Sequence, residues 1–439
     1  MKRERMWFVL GVAEVAALVS FAWIPTAHRF PWPGLMMFAA AFLAYAGAAW
    51  SLSGAHGSLS GPDSSPGTRM RPSPRTLIWI VAVGARLSLL PLAPELSDDI
   101  NRYLWDGHVQ AAGVNPYASA PDAGELAGLR TAYHDDINNP SVPTIYPPAA
   151  QLIFLLVALA GSNLLLLKIV WIACDLATGF VLARIAAARG LDDRPVLLLW
   201  LWSPLLLIEV AWSGHLEPLG LLALTLAIYV AGQDDARGAA AGVALAFASL
   251  TKFAPAAALP ALVRRRGLAA LAGFVATVVL LYAPYAGAGT AVFDGLRTYS
   301  EHWWFMKGPF AVLETVTGDP LRARGFAGVI VVGVIGWTTW KSFELDRTLL
   351  WVLGTGMILT PTLHPWYVLW ILPMAILRRS RAWLLLSGLA FIGYFGLGSY
   401  QDTGQWSQPG IVRAALWLPF LAVLIHDSWT ARSIGDRTA

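Results

Sequence analysis

Apolar residues run along this chain in long blocks, not in the short alternating stretches of a soluble fold. "WFVLGVAEVAALVSFAWI", "MMFAAAFLAYAGAAW", "LIWIVAVGARLSLLPLA", "LAALAGFVATVVLLYAPY", "GFAGVIVVGVIGW", "WLLLSGLAFIGYFGLGSY" and "VRAALWLPFLAVLIH" recur from one end to the other. A helix crossing a bilayer core needs about 20 apolar residues, and about 17 at the short end. A transmembrane barrel would alternate apolar and polar with period two, and no such alternation is visible. The pattern predicts an all-α polytopic membrane protein with about 13–15 transmembrane helices.

Spans are expected at about 7–24, 33–53 and 76–93, the second and third joined by "SGAHGSLSGPDSSPGTRMRPSPR", a Gly/Ser/Pro-rich linker. Residues 94–147 then form a large external loop. Further spans are expected near 164–184, 195–210, 216–232 and 268–285, the last followed by a second external loop over about 286–325 and five more spans. Two segments break the rhythm. Residues 238–263 are apolar but interrupted by "TKFAP", which predicts two short helices folding back at Lys252. Residues 148–160 are too short to span comfortably and are expected as a juxtamembrane or partly inserted helix. The domain reading is two helices and a cytoplasmic linker over 1–75, then a catalytic membrane domain over 76–439.

Composition agrees: 56% of the 439 residues are hydrophobic and 13% charged, where a soluble domain has roughly 25% charged. Mean hydropathy is +0.57. The net charge of +4 is no nucleic-acid footprint, because the basic residues sit in short clusters at span ends ("MKRER", Arg69/Arg71/Arg75, Arg184/Arg189/Arg194, Arg264–Arg266, Lys341/Arg347, Arg378/Arg379/Arg381) and there set orientation, with the "QDDARG" turn on the same side. The first span is too long for a cleavable signal and lacks a cleavage site. One cysteine, Cys174, has no intramolecular disulfide partner.

With the arginines inside, the unusual polar residues gather on the other face: Asp98, Asp99, Tyr146, His215, Glu217, Lys252, "EHWWFMKGPF" and "LHPWY". The acidic pair opens "SDDINRYLWDGH", where Ser97 can cap a helix that Gly113 and Pro116 end. Arg102 is spaced i,i+4 from both Asp98 and Asp106. Surface ion pairs of this kind stabilise little, and a membrane-surface helix prefers lysine and arginine to paired aspartates. The rest of the loop is expected to be shaped by its prolines, without a core of its own, and Asp135/Asp136 read as a cap or solvated turn.

"SDDINRYLWDGHVQAAGVNPY", "INNPSVPTIYPPAAQ", "TKFAPAAALPAL" and "HPWYVLWILP" together resemble the GT-C class of polyprenyl-phosphate-sugar-dependent glycosyltransferases, in particular the mannosyltransferase-like group that includes glycosyltransferase family 87. The similarity runs over about 76–377. It implies a catalytic acidic residue on the first large external loop and a sugar taken from a lipid-phosphate donor. Two features depart from that pattern: two spans precede the one before the acidic loop, and Asn139 stands where histidine is common.

The chemistry implied by the resemblance needs one carboxylate. The leaving phosphate departs without an acid, while the acceptor hydroxyl must lose its proton, and a general base is typically worth about 10²–10⁴-fold. Successive helical side chains diverge by about 100°, so Asp98 and Asp99 have different jobs, and the sequence leaves open which is the base. Arg102, Lys252, His364 and Lys307 are candidates for the donor phosphate, with His302 beside Lys307; a charge inside an apolar hairpin, as at Lys252, points to purpose. Tyr146, Trp105, His215, Glu217, Trp366 and Tyr367 are candidates for sugar and acceptor binding. No cofactor or metal is expected, since no dense oxygen-ligand loop appears, and no Walker A or dinucleotide pattern is present. The expected partners are the membrane, a polyprenyl-phosphate sugar donor and a lipid or glycan acceptor, with no nucleic acid. The expected location is the cell membrane, with the site on the extracytoplasmic face. A secondary transporter or lipid-linked-glycan flippase would instead place ionisable residues at the bilayer midplane and show internal repeats. A polysaccharide polymerase or ligase would lean on arginine and histidine in its external loop.

Overall fold

Caps and prolines written in the sequence start many of the helices. Ser73 Oγ accepts from the Thr76 N–H ahead of Pro74, Asp192 from Arg194 N–H, and Asp319 from Arg322 N–H ahead of Pro320. The computed structural model describes residues 3–23, 32–53, 72–233, 237–403 and 405–435. Nearly all of the Gly/Ser/Pro-rich linker, Arg69, Arg71 and the centre of the "QDDARG" turn lie outside the described residues.

Among the described residues the chain is helical with no strand. In order come α1 (Arg3–Ala22), α2 (Trp32–Ser53), α3 (Pro74–Leu89), α4 (Asp99–Ala111), α5 (Pro148–Leu159), α6 (Leu164–Ala188), α7 (Asp193–Leu201), the one-turn α8 (Pro204–Leu206), α9 (Glu217–Ala231) and α10 (Gly238–Ser249). Then follow α11 (Leu259–Arg266), α12 (Leu268–Tyr282), α13 (Asp294–His302), α14 (Pro309–Thr317), α15 (Pro320–Trp340), α16 (Leu345–Ile358), α17 (Leu372–Leu377), α18 (Arg381–Leu389), α19 (Leu397–Thr403) and α20 (Gly410–Gly435).

Six of the described helical segments are long and apolar enough to cross a membrane, or seven if Asp193–Leu201 and Pro204–Trp212, bent by 41°, make one span. This is an all-α polytopic membrane protein, with fewer full-length spans than the 13–15 expected. The difference lies in segments that the sequence divides. Pro204 cannot continue the ladder of α7. The 238–263 segment does break around Lys252, into α10, a short 3₁₀ turn and α11. Helix α5 has 12 residues, about 18 Å of length against a hydrocarbon core of about 30 Å.

Contacts group the chain into two compact units. One comprises Met1–Ala93, Gly179–Trp212 and Ala375–Ala439. Aromatic rings knit it, with Phe38 stacked on Phe391 at 4.1 Å. Two of its buried polar groups pair within it: Glu209 accepts from Tyr394 Oη, and Arg86 donates to the Ala82 and Leu201 carbonyls. Its outward helix faces carry Leu43, Ile80, Ile411, Leu418 and Ile425, as lipid-facing surfaces do.

The other unit comprises Pro94–Thr178 and Ser213–Met374. Here α4 packs tightly on α5, since a Cβ at Gly107 would lie 2.2 Å from the Phe154 carbonyl oxygen. The first loop does have a core of its own, contrary to expectation. Trp105, Val109, Leu126 and Ile137 form it, because α4 turns one apolar face away from α5 and onto the returning chain. Trp105 is 1% exposed in that core, which removes it from any role in stacking on a sugar.

A second, polar anchor lies at the next residue of α4. Asp106 is fully buried and accepts from Arg102 Nε (2.8 Å), Thr144 Oγ1 (2.5 Å) and Gln151 Nε2 (2.8 Å). Gln151 Oε1 accepts from Gln110 Nε2, and Gln110 Oε1 accepts from Tyr285 Oη. Buried polar groups satisfied in this way fix one arrangement of the chain. The network ties α4, α5 and the segment after α12 together.

Candidate active site

Asp98 takes the N-cap position of α4, and Ser97 Oγ accepts from the Asp99 N–H at 3.3 Å. The N-cap is therefore Asp98 and not Ser97 as expected: Asp98 makes no side-chain capping bond, and Ser97 takes the Asp99 N–H from one residue outside the cap. Carboxylates at this end of the helix face its positive dipole. Of the two i,i+4 partners open to Arg102, it takes Asp106, so its Nε is committed to structure. That argues against Arg102 as a principal phosphate ligand.

The turn "SGHLEP" brings the next groups. Gly214 has φ +76°, a conformation that suits glycine, and a Cβ there would lie 2.4 Å from Ile100 Cδ1. The turn can therefore press against α4, and His215 Nδ1 comes to 3.8 Å from Asp99 Oδ2. Two residues on, Glu217 opens α9 and is ion-paired with Lys252 from the break after α10. Lys252 Nζ also lies 4.0 Å from the centre of the Tyr367 ring. Glu217 is 1% exposed and Lys252 26%, so the lysine is the accessible member of the pair.

The "LHPWY" segment completes the cluster. His215 stacks on Trp366 (4.0 Å), Trp366 on His364 (4.5 Å) and His364 on Phe305 (4.4 Å). Trp366 is thus stacked with two imidazoles, those of His215 and His364. Phe305 is held there by backbone bonds: its N–H donates to Pro361 O and its carbonyl accepts from Leu363 N–H. Tyr367 Oη shares a 2.6 Å hydrogen bond with Tyr299 Oη of α13.

Burial decides the charge states. Asp99 is pushed up to about 6, first by burial and then by Asp98 beside it. Asp98 is also raised by burial. His364 is pushed down to about 3, by burial and then by Lys252, and His215 falls well below the usual imidazole range by burial, Lys252 and His364. Burial thus favours the neutral form of both histidines.

Asp98, Asp99, His215, Glu217, Lys252, His364, Trp366 and Tyr367 are thus linked by contact into one cluster. Lys307 and His302 make their contacts elsewhere, whereas the Tyr146 hydroxyl is near enough to feel the charge of Asp99. Lys307 is held by Glu314 at 2.8 and 2.9 Å and lies over Trp304. His302 is exposed and bonded to the Thr298 carbonyl of its own helix. Tyr146 is buried against Tyr103 and Phe154, and its carbonyl accepts from Tyr117 Oη. The sequence reading missed Asn138, whose Nδ2 donates to Asp98 Oδ1 (2.5 Å) and Asp99 Oδ1 (3.0 Å). Its signal was the "INNP" turn, where Asn139 has φ +47°. Asparagine tolerates that left-handed backbone.

One family comparison decides what this cluster belongs to. Residues 8–266 match the MptA_B family, described as alpha-(1→6)-mannopyranosyltransferase, N-terminal domain. The chain belongs to this mannosyltransferase family. The match begins within α1 and includes α2, so it covers most of the two spans that stood outside the expected pattern. It also includes every cluster residue from Asp98 to Lys252, while His364, Trp366 and Tyr367 follow it. No curated protein matches the chain, and no solved structure does. Membership makes this a membrane-embedded glycosyltransferase with a mannosyl-transfer role, acting between a sugar donor and an acceptor.

Proposed function

We propose that the protein transfers one mannosyl group from a polyprenyl-phosphate donor to a hydroxyl of a lipid or glycan acceptor on the extracytoplasmic face, with Asp99 as general base. The observation that carries this reading is the meeting of Asp99 with His215 and the Lys252–Glu217 pair. Asp99 Oδ1 is engaged by Asn138, while Oδ2 is turned toward His215 and left to take a proton.

In the reaction the bond between the anomeric carbon and the phosphate oxygen breaks, and its electron pair leaves with the phosphate. The acceptor oxygen bonds to the anomeric carbon, and its proton passes to Asp99 Oδ2. Lys252, the accessible cation, meets the phosphate charge. Neutral His215 and His364 offer polar edges to sugar hydroxyls, and the Tyr299–Tyr367 pair borders the site. Direct displacement inverts the anomeric carbon, so an α-(1→6) product calls for a β-linked donor. A lipid-linked donor fits a chain with no Walker A or dinucleotide pattern. No metal is required by this scheme.

The test is transfer by the purified protein in liposomes, with radiolabelled polyprenyl-phosphate mannose or a nucleotide-linked mannose as donor and a mannoside lipid as acceptor. Product from the lipid donor alone supports the reading. Product from the nucleotide donor alone overturns the donor assignment.

A further inference from the structure

The two aspartates stand on successive positions of one helix start, where their side chains diverge. A single amide nevertheless bonds to both, with Asn138 Nδ2 reaching Asp98 Oδ1 and Asp99 Oδ1 from a segment 40 and 39 residues away. Among the described residues, Asn138 is the one side chain that hydrogen-bonds to the Asp99 carboxylate.

Asn138 is itself held from both sides. Ile137 before it is buried in the loop core with Trp105, and Asn139 after it takes the left-handed turn that leads to Pro140. Asn101 Nδ2 donates to the Asp136 carbonyl and ties the same segment to α4. His134 packs edge-on to Trp105, and its Nε2 bonds to the Pro121 carbonyl. The amide is therefore presented by a built loop and not by a free surface chain.

We propose that Asn138 is a positioning residue that clamps one oxygen of each aspartate and so aims Asp99 Oδ2 at the acceptor hydroxyl. The inference rests on the reading of Asp99 as general base and goes beyond it by naming what orients that base. Both hydrogens of the amide nitrogen are used on the pair, and each bond favours the ionised form of its carboxylate, as the Lys252 charge also does for Asp99.

The groups that face Asp99 come from several elements. Asp98 is on its own helix, His215 and Glu217 are at the turn into α9, and Lys252 follows α10. The hydroxyls of Tyr103, Tyr146, Tyr299 and Tyr367 also feel its charge. Burial and the neighbouring carboxylates raise Asp99, and the Asn138 bond opposes them. Removing the amide therefore makes the base harder to ionise.

The experiment is the pH–rate profile of kcat/KM for mannosyl transfer by the reconstituted full chain, as wild type, Asn138→Ala, Asn138→Ser and Asn138→Asp. The acid limb is expected to move up by about one pH unit in Asn138→Ala, so that activity lost near pH 6 returns in large part by pH 8. Asn138→Ser, which keeps a donor, should move it less, and Asn138→Asp, which adds a third carboxylate, should move it further. Asn138→Ser carries the test on its own if the alanine variant does not fold. A limb that stays in place, with activity unchanged or reduced equally at every pH, overturns the inference. A wild type without an acid limb, or without transfer, would instead overturn the general-base reading on which it rests.

Discussion

Asp99 Oδ2 and His215 Nδ1 face each other at 3.8 Å, a carboxylate raised to about 6 beside an imidazole that stays neutral. A base works in its deprotonated form. Transfer should therefore be full above about pH 7 and be lost as pH falls through about 6. His364, held down at about 3, and His215, also depressed, add no further step between pH 5 and 8. A profile of kcat/KM against pH with one acid limb near 6 is the expected result.

The Lys252–Glu217 pair separates stability from binding. Removing one partner of a buried ion pair costs about 3–5 kcal/mol because the other charge is stranded. Lys252→Met should therefore lower the unfolding temperature markedly, with Glu217 left almost fully buried. Lys252→Met combined with Glu217→Gln should recover most of that stability but not the donor KM. Recovery of both would remove Lys252 from phosphate binding.

Gly107 reports on the seat of α4, the helix that carries Asp99. A Cβ there would meet the Phe154 carbonyl oxygen, so Gly107→Ala must part α4 from α5. Overpacking of this kind costs about 1–3 kcal/mol, and kcat should fall with it as Asp99 shifts. Gly84→Ala in α3 meets nothing within 4 Å and is the control, expected to be neutral or stabilising. Thermal unfolding in detergent distinguishes the two.

Chelation should leave transfer intact. The proposed scheme takes the acceptor proton with a carboxylate and meets the phosphate with Lys252, and among the described residues no group of three or more His, Cys, Asp and Glu side chains is arranged to hold a metal ion. Initial rates in EDTA and with added magnesium or manganese should agree within about twofold. A strong loss in EDTA, restored by a divalent ion, would replace this scheme.

The features that could be read from the sequence were those carried by local pattern. Apolar blocks gave the membrane class, "TKFAP" gave the break at Lys252, and "SDD" followed much later by Gly113 gave the bounds of α4 almost to the residue. What escaped depends on chain segments that meet only in space. Trp105 looked like an interfacial aromatic because the sequence does not show that Leu126 and Ile137 close over it. Trp366 looked like an open platform because its covering rings come from positions 215 and 364. Asn138 lies about 40 residues from the pair it holds, with only a turn motif to mark it. Arg102 had two equally spaced partners, and burial of Asp106 decided between them.

The most direct test of the account compares Asp99→Asn with Asp98→Asn in mannosyl transfer at pH 8, using variants whose unfolding temperatures match the wild type. Loss of the general base should lower kcat at least about 10²-fold in Asp99→Asn, while Asp98→Asn, which removes the neighbouring charge but keeps an oxygen to accept from the Asn138 amide, should keep the greater part of it. Near wild-type transfer by Asp99→Asn, or a larger loss in Asp98→Asn, would contradict the assignment.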